Sequence, residues 1–398
     1  MDAYLLDWAN LLLRWVHVIT AIAWVGSSFY FVWLDNHLIR PKSPDLLEKG
    51  VDGALWAVHG GGFYNPQKYL LAPKKIHTEL HWFYWESYST WLSGFALFTV
   101  LYLWNAGSFL VDKSLFDWSP VAAGAGALGF LVAFWLVYDL ICRTLGPREH
   151  GEKLVGITVT VAIVIASYLA CQLFAGRAAF LLVGAMIATA MSANVFFWII
   201  PGQKKVVAAM MAGQSVDPVH GQRGKQRSVH NTYFTLPVLI AMLSNHYGWL
   251  YQGPHNWLVL VALMLAGALI RHFFVARHKA HVKGVRPPWG YAIAGSALIA
   301  GLVIALAPKP QPPQAAQAPA SYAQVKAIVE QRCVLCHNAQ VQQKNVALHD
   351  DALIEKQALA IYQQVAVLRL MPLNNATQIT DEERALIRRW YEAGAKGP

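Results

Sequence analysis

Long apolar stretches alternate with short polar segments over roughly the first three quarters of the chain. Each apolar stretch has about the twenty residues that a helix needs to cross the hydrocarbon core of a bilayer. The stretches lie near residues 8–34, 82–105, 119–142, 153–174, 178–200, 232–251, 255–276 and 289–307. The first lacks a basic leading segment and an Ala-x-Ala site, so we interpret it as a span and not as a cleaved signal peptide. The pattern predicts an all-α, polytopic membrane bundle of eight transmembrane helices over residues 1–307.

Composition and charge support a membrane protein of defined orientation. Of the 398 residues, 56% are hydrophobic and 14% are charged, which is too apolar for an ordinary soluble protein of this length. The net charge of +10 comes mainly from the loops after the first, third, fifth and seventh stretches, whereas the opposite loops hold Lys113 and Arg177. The positive-inside rule then places both termini outside, in the periplasm if the membrane is a bacterial inner membrane. The charge is therefore a topology signal, with the lipid bilayer as partner and no nucleic-acid binding.

A change of composition divides the chain near residue 308. Residues 308–320 are rich in Pro, Ala and Gln, which predicts an extended linker. The remaining residues, 321–398, are too few to bury a large apolar core on their own. We expect them to form a small periplasmic domain around a bound group.

The motif Cys333-Val334-Leu335-Cys336-His337 identifies that group. Two cysteines at this spacing followed by histidine are the attachment signature of a c-type haem, because each thiol can bond a vinyl group while the imidazole binds the iron. Met371, just before Pro372, supplies a second axial ligand, and Thr380 then begins a closing helix. The segment predicts a class I cytochrome c domain with haem c bound through Cys333, Cys336, His337 and Met371.

A zinc or redox Cys-x-x-Cys with an incidental histidine is the alternative interpretation. It is disfavoured because the sequence has no second cysteine pair. Cys142 and Cys171, the other two cysteines, are expected at opposite ends of neighbouring spans, about 30 Å apart, and are interpreted as packing residues.

Two histidines lie within the predicted spans at similar depth. His17 shares a helical face with Thr20 and Trp24, and His246 lies near the outer end of the sixth span. A histidine inside a bilayer is costly unless it has a partner. The pair His17 and His246 therefore indicates a bis-histidine haem b in the outer half of the membrane. A hydrogen bond to a neighbouring helix is the alternative for His17.

Other polar residues predict a chamber toward the cytoplasmic side. Glu86, Thr90 and Ser93 share one face at the start of the second span. His81 and His230 are expected toward the same side. Because a carboxylate inside a membrane is expensive, Glu86 is a functional candidate.

Several motifs occur together in a fixed order: His59-Gly60-Gly61-Gly62-Phe63-Tyr64, His81-Trp82-Phe83-x-Trp85-Glu86, Thr235-Leu236-Pro237, Ser244-Asn245-His246-Tyr247 and the C-terminal Cys-x-x-Cys-His. Each is modest alone, but the ordered set covers essentially the whole chain and resembles the membrane-bound, cytochrome-c-containing urate oxidases. The resemblance implies oxidation of urate to 5-hydroxyisourate in bacterial purine degradation. Electrons would pass through haem b and haem c to a cytochrome c or a terminal oxidase, without formation of hydrogen peroxide.

Urate also sets requirements for its own site. It is a planar anion rich in donors and acceptors, so it needs amides, imidazoles and aromatic walls, and its oxidation needs a base. We expect Glu86, His230 and Asn231 as catalytic residues, and Tyr64, Asn65, His81 and Trp82 as substrate-binding residues. A quinol-to-cytochrome c oxidoreductase and a membrane-anchored electron carrier remain as alternatives. Buried polar residues argue against the carrier, and only the resemblance argues against the quinol enzyme.

Overall fold

The computed structural model describes residues 2–69, 72–74, 76–307 and 320–398, so the linker expected over residues 308–320 lies outside the described residues except for Ala320. Helices dominate both parts. Before residue 308 they are α1 (Asp2–His37), α2 (Pro44–Glu48), α3 (Trp85–Phe98), α4 (Ala106–Phe109), α5 (Pro120–Leu145), α6 (Gly151–Leu173), α7 (Gly176–Ala193), α8 (Ile200–Met211), α9 (Pro218–Leu243), α10 (Asn256–Val282) and α11 (Trp289–Ala305). The π-helical turns Thr99–Leu103 and Asn194–Ile199 extend α3 and α7.

Among the described residues, five helical segments are long and apolar enough to cross a membrane. They are Tyr4–His37, Pro120–Leu145, Gly151–Leu173, Gly176–Met211 and Asn256–Arg277. These coincide with five of the eight predicted spans. The other three predicted spans fall on α3, α9 and α11, which do not meet the same criteria of length and apolar character. Helix α3 passes into a π turn after 14 residues, and α11 has only 17 residues. Helix α9 is long enough, but its first half is polar. The membrane role of these three helices stays a prediction.

Helix α9 begins well before the span that hydropathy predicts from residue 232. Its first turn is stabilised at Asp217, whose side chain accepts a hydrogen bond from the Val219 amide at 2.9 Å. Pro218, at the first helical position, has no amide hydrogen to leave unsatisfied. At its other end α9 stops at Leu243, so His246 lies in the 3₁₀ turn Ser244–His246 and not in the sixth helix itself.

Helix α7 lies at the centre of the bundle, where most of its residues are buried. Small residues let its neighbours approach closely. A Cβ atom added to Gly184 would lie 2.8 Å from the Cβ of Ala241 on α9. Gly267 on α10 similarly faces Leu236, where an added Cβ would lie 3.0 Å from the Leu236 Cβ. Such contacts are how helices associate where lipid removes the usual hydrophobic drive.

The loop between α2 and α3 contains short strands, so the fold is mostly helical but not strictly all-α. Strand β1 (Val51–Ala54) pairs antiparallel with β4 (Gln67–Tyr69), and β2 (Ala57–His59) pairs with β3 (Gly62–Tyr64). Gly60 and Gly61 join β2 to β3 with φ of 58° and 79°. A two-residue hairpin turn of this kind needs positive φ at both positions, which explains the glycine run.

The segment expected to be a cytochrome c domain forms its own apolar core. Its helices are α12 (Tyr322–Arg332), α13 (Asp351–Lys356), α14 (Ala358–Ile361) and α15 (Asp381–Glu392), with the π turn Tyr362–Val367 after α14. Val325 and Val329 of α12 are buried with Ile387 and Trp390 of α15. Thr380, where the closing helix is predicted to begin, is the N-cap of α15 and forms a capping box with Glu383.

Candidate functional site

A cavity of about 2040 Å³ lies between α1, α3, α7 and α9. Pockets for small molecules usually occupy roughly 300–1,000 Å³, so this one has room for more than one small ligand. Of the residues expected at the haem b and urate sites, it brings together His17, His81, Trp82, Glu86, Asn231 and His246. The outer and inner polar regions expected from the sequence thus belong to one space.

Three expected site residues are not among the described residues that line the cavity. Tyr64 lies exposed in β3 with its ring against Gly62. Asn65 is used within its own loop: its Nδ2 donates to the Leu55 carbonyl oxygen at 3.0 Å, and its Oδ1 accepts from Gln67 at 2.9 Å. The third, His230, is not a lining residue either, and its Nδ1 lies 2.8 Å from the Tyr138 hydroxyl. Any role for Tyr64 and Asn65 at the cavity would require this loop to move.

His17 is held on α1 by contacts with α3. Its Nδ1 lies 3.1 Å from the Thr90 carbonyl oxygen, to which it can only donate, and 3.2 Å from the Ser93 Oγ. The ring packs directly on Gly94, where an added Cβ would lie 2.7 Å from the His17 Cε1. With the proton on Nδ1, Nε2 keeps its lone pair, the arrangement usual for a histidine that binds a metal.

The proposed haem b can be tested against these residues. His17 has one ring nitrogen fixed and the other available, and His246 lines the same cavity from the exposed turn after α9. The volume accommodates a macrocycle together with a small substrate. The residues therefore fit the group, although the helix-to-helix hydrogen bond of His17 also satisfies the alternative interpretation.

The start of α3 forms an aromatic wall with a nearby cation. Glu86 occupies the second position of α3 and is half-buried, a place where the helix dipole favours negative charge. His81 packs edge-on against Phe83, with ring centres 4.7 Å apart. Lys204 on α8, which sequence reasoning did not single out, places its Nζ 6.0 Å from the centre of the Trp82 ring.

A hydrogen-bonded chain fixes Asn231 at the cavity wall. Its Oδ1 accepts from the Asn194 Nδ2 at 2.9 Å, and its own Nδ2 donates to the Met191 carbonyl oxygen at 3.0 Å. Asn194 also donates to the hydroxyl of Tyr138, which in turn lies 2.8 Å from the Nδ1 of His230. Although His230 precedes Asn231 directly in the chain, its side chain connects to that of Asn231 through the side chains of Tyr138 and Asn194.

An ion-pair cluster that the sequence analysis missed adjoins this hydrogen-bonded chain at Asn194. Asp139 on α5 accepts from the Nη2 of Arg227 and from the Nε1 of Trp198, each at 2.8 Å, and lies 2.7 Å from the Nε of Arg143. Arg227 also lies 3.5 Å from the Asn194 Oδ1. The available signal was Asp139 itself, an acidic residue within the third predicted span, where a charge is expensive unless paired.

Three of the four expected haem c residues, Cys333, Cys336 and His337, share one turn after α12. The His337 amide donates to the Cys333 carbonyl oxygen at 3.1 Å, so Cys333 and His337 flank a helical turn that also holds Cys336. The His337 Nδ1 lies 3.1 Å from the Val346 carbonyl oxygen, which leaves Nε2 for an axial bond. Burial raises the pKa of the Cys333 thiol to about 11. These residues fit a covalently bound haem.

Arg384 of α15, also missed from the sequence, holds the segment that carries Met371. Its Nη1 donates to the Met371 carbonyl oxygen at 2.9 Å and to the Val365 carbonyl oxygen at 2.6 Å. Burial lowers the pKa of Arg384, but the guanidinium stays charged at neutral pH. Met371 itself packs against the apolar core of the domain.

The Met371 segment also contacts the helix bundle. The Gln252 Nε2 donates to the carbonyl oxygens of Leu368 and Arg369 at 2.9 and 3.1 Å, and the Asn374 Nδ2 donates to the Ser108 carbonyl oxygen at 2.7 Å. A Cβ added at Gly248 would collide with the Leu370 side chain, so one of the two would have to shift.

The segment after His337 touches the bundle as well. The Lys344 Nζ lies 2.5 Å from the Asp7 carboxylate, and residues 340–345 also line the cavity. The cavity that holds the candidate urate residues thus reaches the domain that carries the haem c motif.

Together these features define a mostly helical protein, with helices suited to a membrane, built around a large cavity whose lining includes polar side chains. The family model described as urate oxidase N-terminal matches residues 3–307, and the chain belongs to this family. The match confirms the family expected from the motifs and indicates an oxidoreductase that acts on urate. No curated protein and no solved structure gives a significant match.

Proposed function

We propose that this protein oxidises urate to 5-hydroxyisourate in the large cavity and passes the electrons to a haem c held by Cys333, Cys336, His337 and Met371. The supporting observation is a single cavity lined both by Glu86 and by the residues that follow His337, in a chain whose residues 3–307 match the urate oxidase family. A substrate site that borders an electron-exit domain is what such a reaction needs.

The reaction balances with water as the oxygen source. Urate plus one water gives 5-hydroxyisourate, two protons and two electrons. Three carboxylates are among the cavity residues, but Asp7 is paired with Lys344 and Asp35 with Lys68. Glu86 forms no ion pair within the described part of the chain. We therefore assign Glu86 as the base that removes a proton as water adds.

Binding of urate would use the aromatic wall and the fixed amide. Trp82 and His81, both lining residues, would flank the planar ring. Lys204 is not a lining residue, but its Nζ lies 6.0 Å from the centre of the Trp82 ring, where its charge would complement that of urate. Asn231 is held in one orientation by Asn194 and Met191, so it presents its remaining donor and acceptor without further loss of rotamer freedom. His230 acts through Tyr138 and Asn194 as a positioning residue.

The bound haems would supply one-electron steps between urate and an external cytochrome c or terminal oxidase. His17 and His246 are the proposed ligands of haem b. Hydrogen bonding of the His17 Nδ1 to Thr90 fixes the ring orientation for that role. Oxygen is then not the electron acceptor, and no hydrogen peroxide should form.

We further propose eight spans in a bacterial inner membrane, with both termini in the periplasm. The C-terminal domain contacts the helix bundle at Asp7, Ser108 and Gln252. Asp7 belongs to the N-terminal segment and the other two to loops, all expected on the membrane face that is poor in Lys and Arg. These contacts therefore support the orientation. Residues 1–307 would form the membrane domain, 308–320 the linker and 321–398 the periplasmic cytochrome c domain.

Urate given without oxygen to the purified protein tests the proposal. Haem c should become reduced, and added soluble cytochrome c should sustain turnover without peroxide. Glu86→Gln should slow reduction by urate at least tenfold but leave reduction by dithionite intact. Glu152→Gln is the matched control, since Glu152 holds the same helical position at the start of α6, outside the cavity.

Two results would contradict the proposal. Peroxide in stoichiometric amount would show that oxygen takes the electrons directly. Reduction by a quinol but not by urate would favour the quinol-to-cytochrome c oxidoreductase.

A further inference from the structure

Two arginines line the outer half of the cavity without a carboxylate partner. Arg14 lies on α1, and Arg177 is the second residue of α7; both are half-buried. The Arg14 Nη2 donates to the Asn10 Oδ1 at 3.2 Å, and the Arg177 Nε donates to the Asn245 Oδ1 at 3.1 Å. Within the described ranges, neither guanidinium forms an ion pair. Both positive charges therefore face the cavity region without compensation.

Arg227, a third arginine of the bundle, differs from Arg14 and Arg177 because it has a carboxylate partner. Arg227 is buried, and its charge is matched by Asp139 at 2.8 Å. A charge withdrawn from water is costly unless it is paired. Arg14 and Arg177 lack such a pair, so an anion in the cavity would remove the cost of their partial burial.

Arg177 is also held in place before any ligand arrives. The Asn245 Oδ1 accepts from Arg177 and, at 2.9 Å, from the hydroxyl of the buried Tyr102. The amide of Asn245 is oriented by its own Nδ2, which donates to the Met242 carbonyl oxygen. Fixed donors of this kind are typical of a binding site and not of a freely solvated surface arginine.

The two arginines flank the proposed haem b ligands. Arg14 precedes His17 by one turn of α1, and Asn245, which holds Arg177, is followed directly by His246. We propose that Arg14 and Arg177 bind an oxyanion in the cavity, either the carboxylates of a haem b held between His17 and His246 or a urate anion bound beside that haem. The planar donor fork of arginine matches both. This inference rests on the proposed function, because haem b and urate enter there.

Glutamine variants of each arginine test the site through three measured quantities. Haem b content, relative to haem c, is measured by pyridine haemochrome. The midpoint potential of haem b is measured by redox titration. Urate affinity is measured by equilibrium dialysis on dithionite-reduced protein, where no turnover occurs. Arg148→Gln is the matched control, because Arg148 is exposed and is not a cavity residue.

The result identifies the occupant. If haem carboxylates bind there, Arg14→Gln and Arg177→Gln lose at least half of the haem b or lower its midpoint potential, since removing positive charge favours the oxidised form. If urate binds there, haem b is unchanged and the urate Kd rises about tenfold or more, as loss of a charge-assisted hydrogen bond predicts. Variants that match the parent and Arg148→Gln in all three quantities overturn the site.

Folding and the proposed function are controlled separately. Haem c content and a single elution peak report folding. Where a glutamine variant does not fold, the lysine variant of the same position replaces it. The charge remains but the planar fork is lost, so haem b content or urate affinity must fall at least threefold relative to the parent. Lysine variants equal to the parent then overturn the site. Parent protein that binds neither haem b nor urate overturns the proposed function, and the site with it.

Discussion

Loss of the Asp139 carboxylate should strongly destabilise the protein. Arg227 is 2% exposed and Asp139 6%, so Asp139→Ala leaves a guanidinium buried without its counter-charge. Removal of one partner of a buried ion pair costs about 3–5 kcal/mol of unfolding free energy. The contact with Arg143 adds little, because that side chain is 60% exposed and solvent screens its charge.

The destabilisation should also reach the cavity. Arg227 contacts Asn194, which donates to Asn231 at the cavity wall. An Arg227 freed from Asp139 no longer fixes this chain, so we expect a raised KM for urate in addition to a lower midpoint of thermal unfolding in detergent. Asp139→Ala combined with Arg227→Met removes both charges and should be less destabilised than Asp139→Ala alone.

The exposed ion pair between Asp117 and Lys113 provides the control. Its nitrogen-to-oxygen distance is 3.6 Å, and the two side chains are 74% and 77% exposed. Asp117→Ala should therefore change stability by less than about 1 kcal/mol. The reasoning is refuted if Asp139→Ala is as stable as Asp117→Ala, or if the double variant is less stable than Asp139→Ala.

Three further variants test the haem sites and the contact between the two parts of the protein. Met371→Ala should keep haem c covalently attached but lower its midpoint potential, as measured by redox titration, because the thioether ligand is lost. Gly94→Ala should displace the His17 ring, since the added Cβ would lie 2.7 Å from its Cε1, and should lower haem b content by pyridine haemochrome. Gly248→Ala should push against Leu370 and slow haem c reduction by urate in stopped-flow absorbance, with haem c content unchanged.

Two glycines supply controls for these variants. A Cβ added at Gly129 of α5, or at Gly253 near the domain contact, meets no heavy atom within 4 Å. Gly129→Ala and Gly253→Ala should therefore resemble the parent. An unchanged potential in Met371→Ala would exclude it as a ligand. Effects of Gly94→Ala or Gly248→Ala no larger than those of the controls would show that the close contacts do not matter.

Hydropathy located the helices well because a span of about twenty apolar residues is a requirement of the bilayer and not of any particular neighbour. It failed where other forces decide. Helix α9 extends back to Pro218 because of its cap at Asp217, and the π turn Asn194–Ile199 has no signature in the apolar pattern. The hairpin turn at Gly60 was visible as a glycine run, but only strand pairing shows its role.

The site was predictable as a set of residue types but not as a set of contacts. Asp139 and Arg227 are 88 positions apart, and the sequence gives no pairing rule for side chains on separate helices. The same holds for His17 and Thr90, which are 73 positions apart. Tyr64 and Asn65 were expected near urate on the strength of residue type alone, and the structure uses Asn65 within its own loop.

The contact between the haem c segment and the bundle is suited to reversible docking. Its ion pair joins side chains that are 69% and 58% exposed, Lys344 and Asp7, so it contributes at most about 1 kcal/mol. Such a weak contact persists mainly because residues 308–319 connect the two parts covalently. A short tether of this kind gives the C-terminal domain an effective concentration of order millimolar at the bundle surface. In the proposed reaction a docked state would receive electrons beside the cavity, and release would expose the same Met371 segment to an external acceptor. Lys344→Glu, which sets like charges against each other, should therefore slow haem c reduction by urate more than it slows haem c oxidation by added cytochrome c.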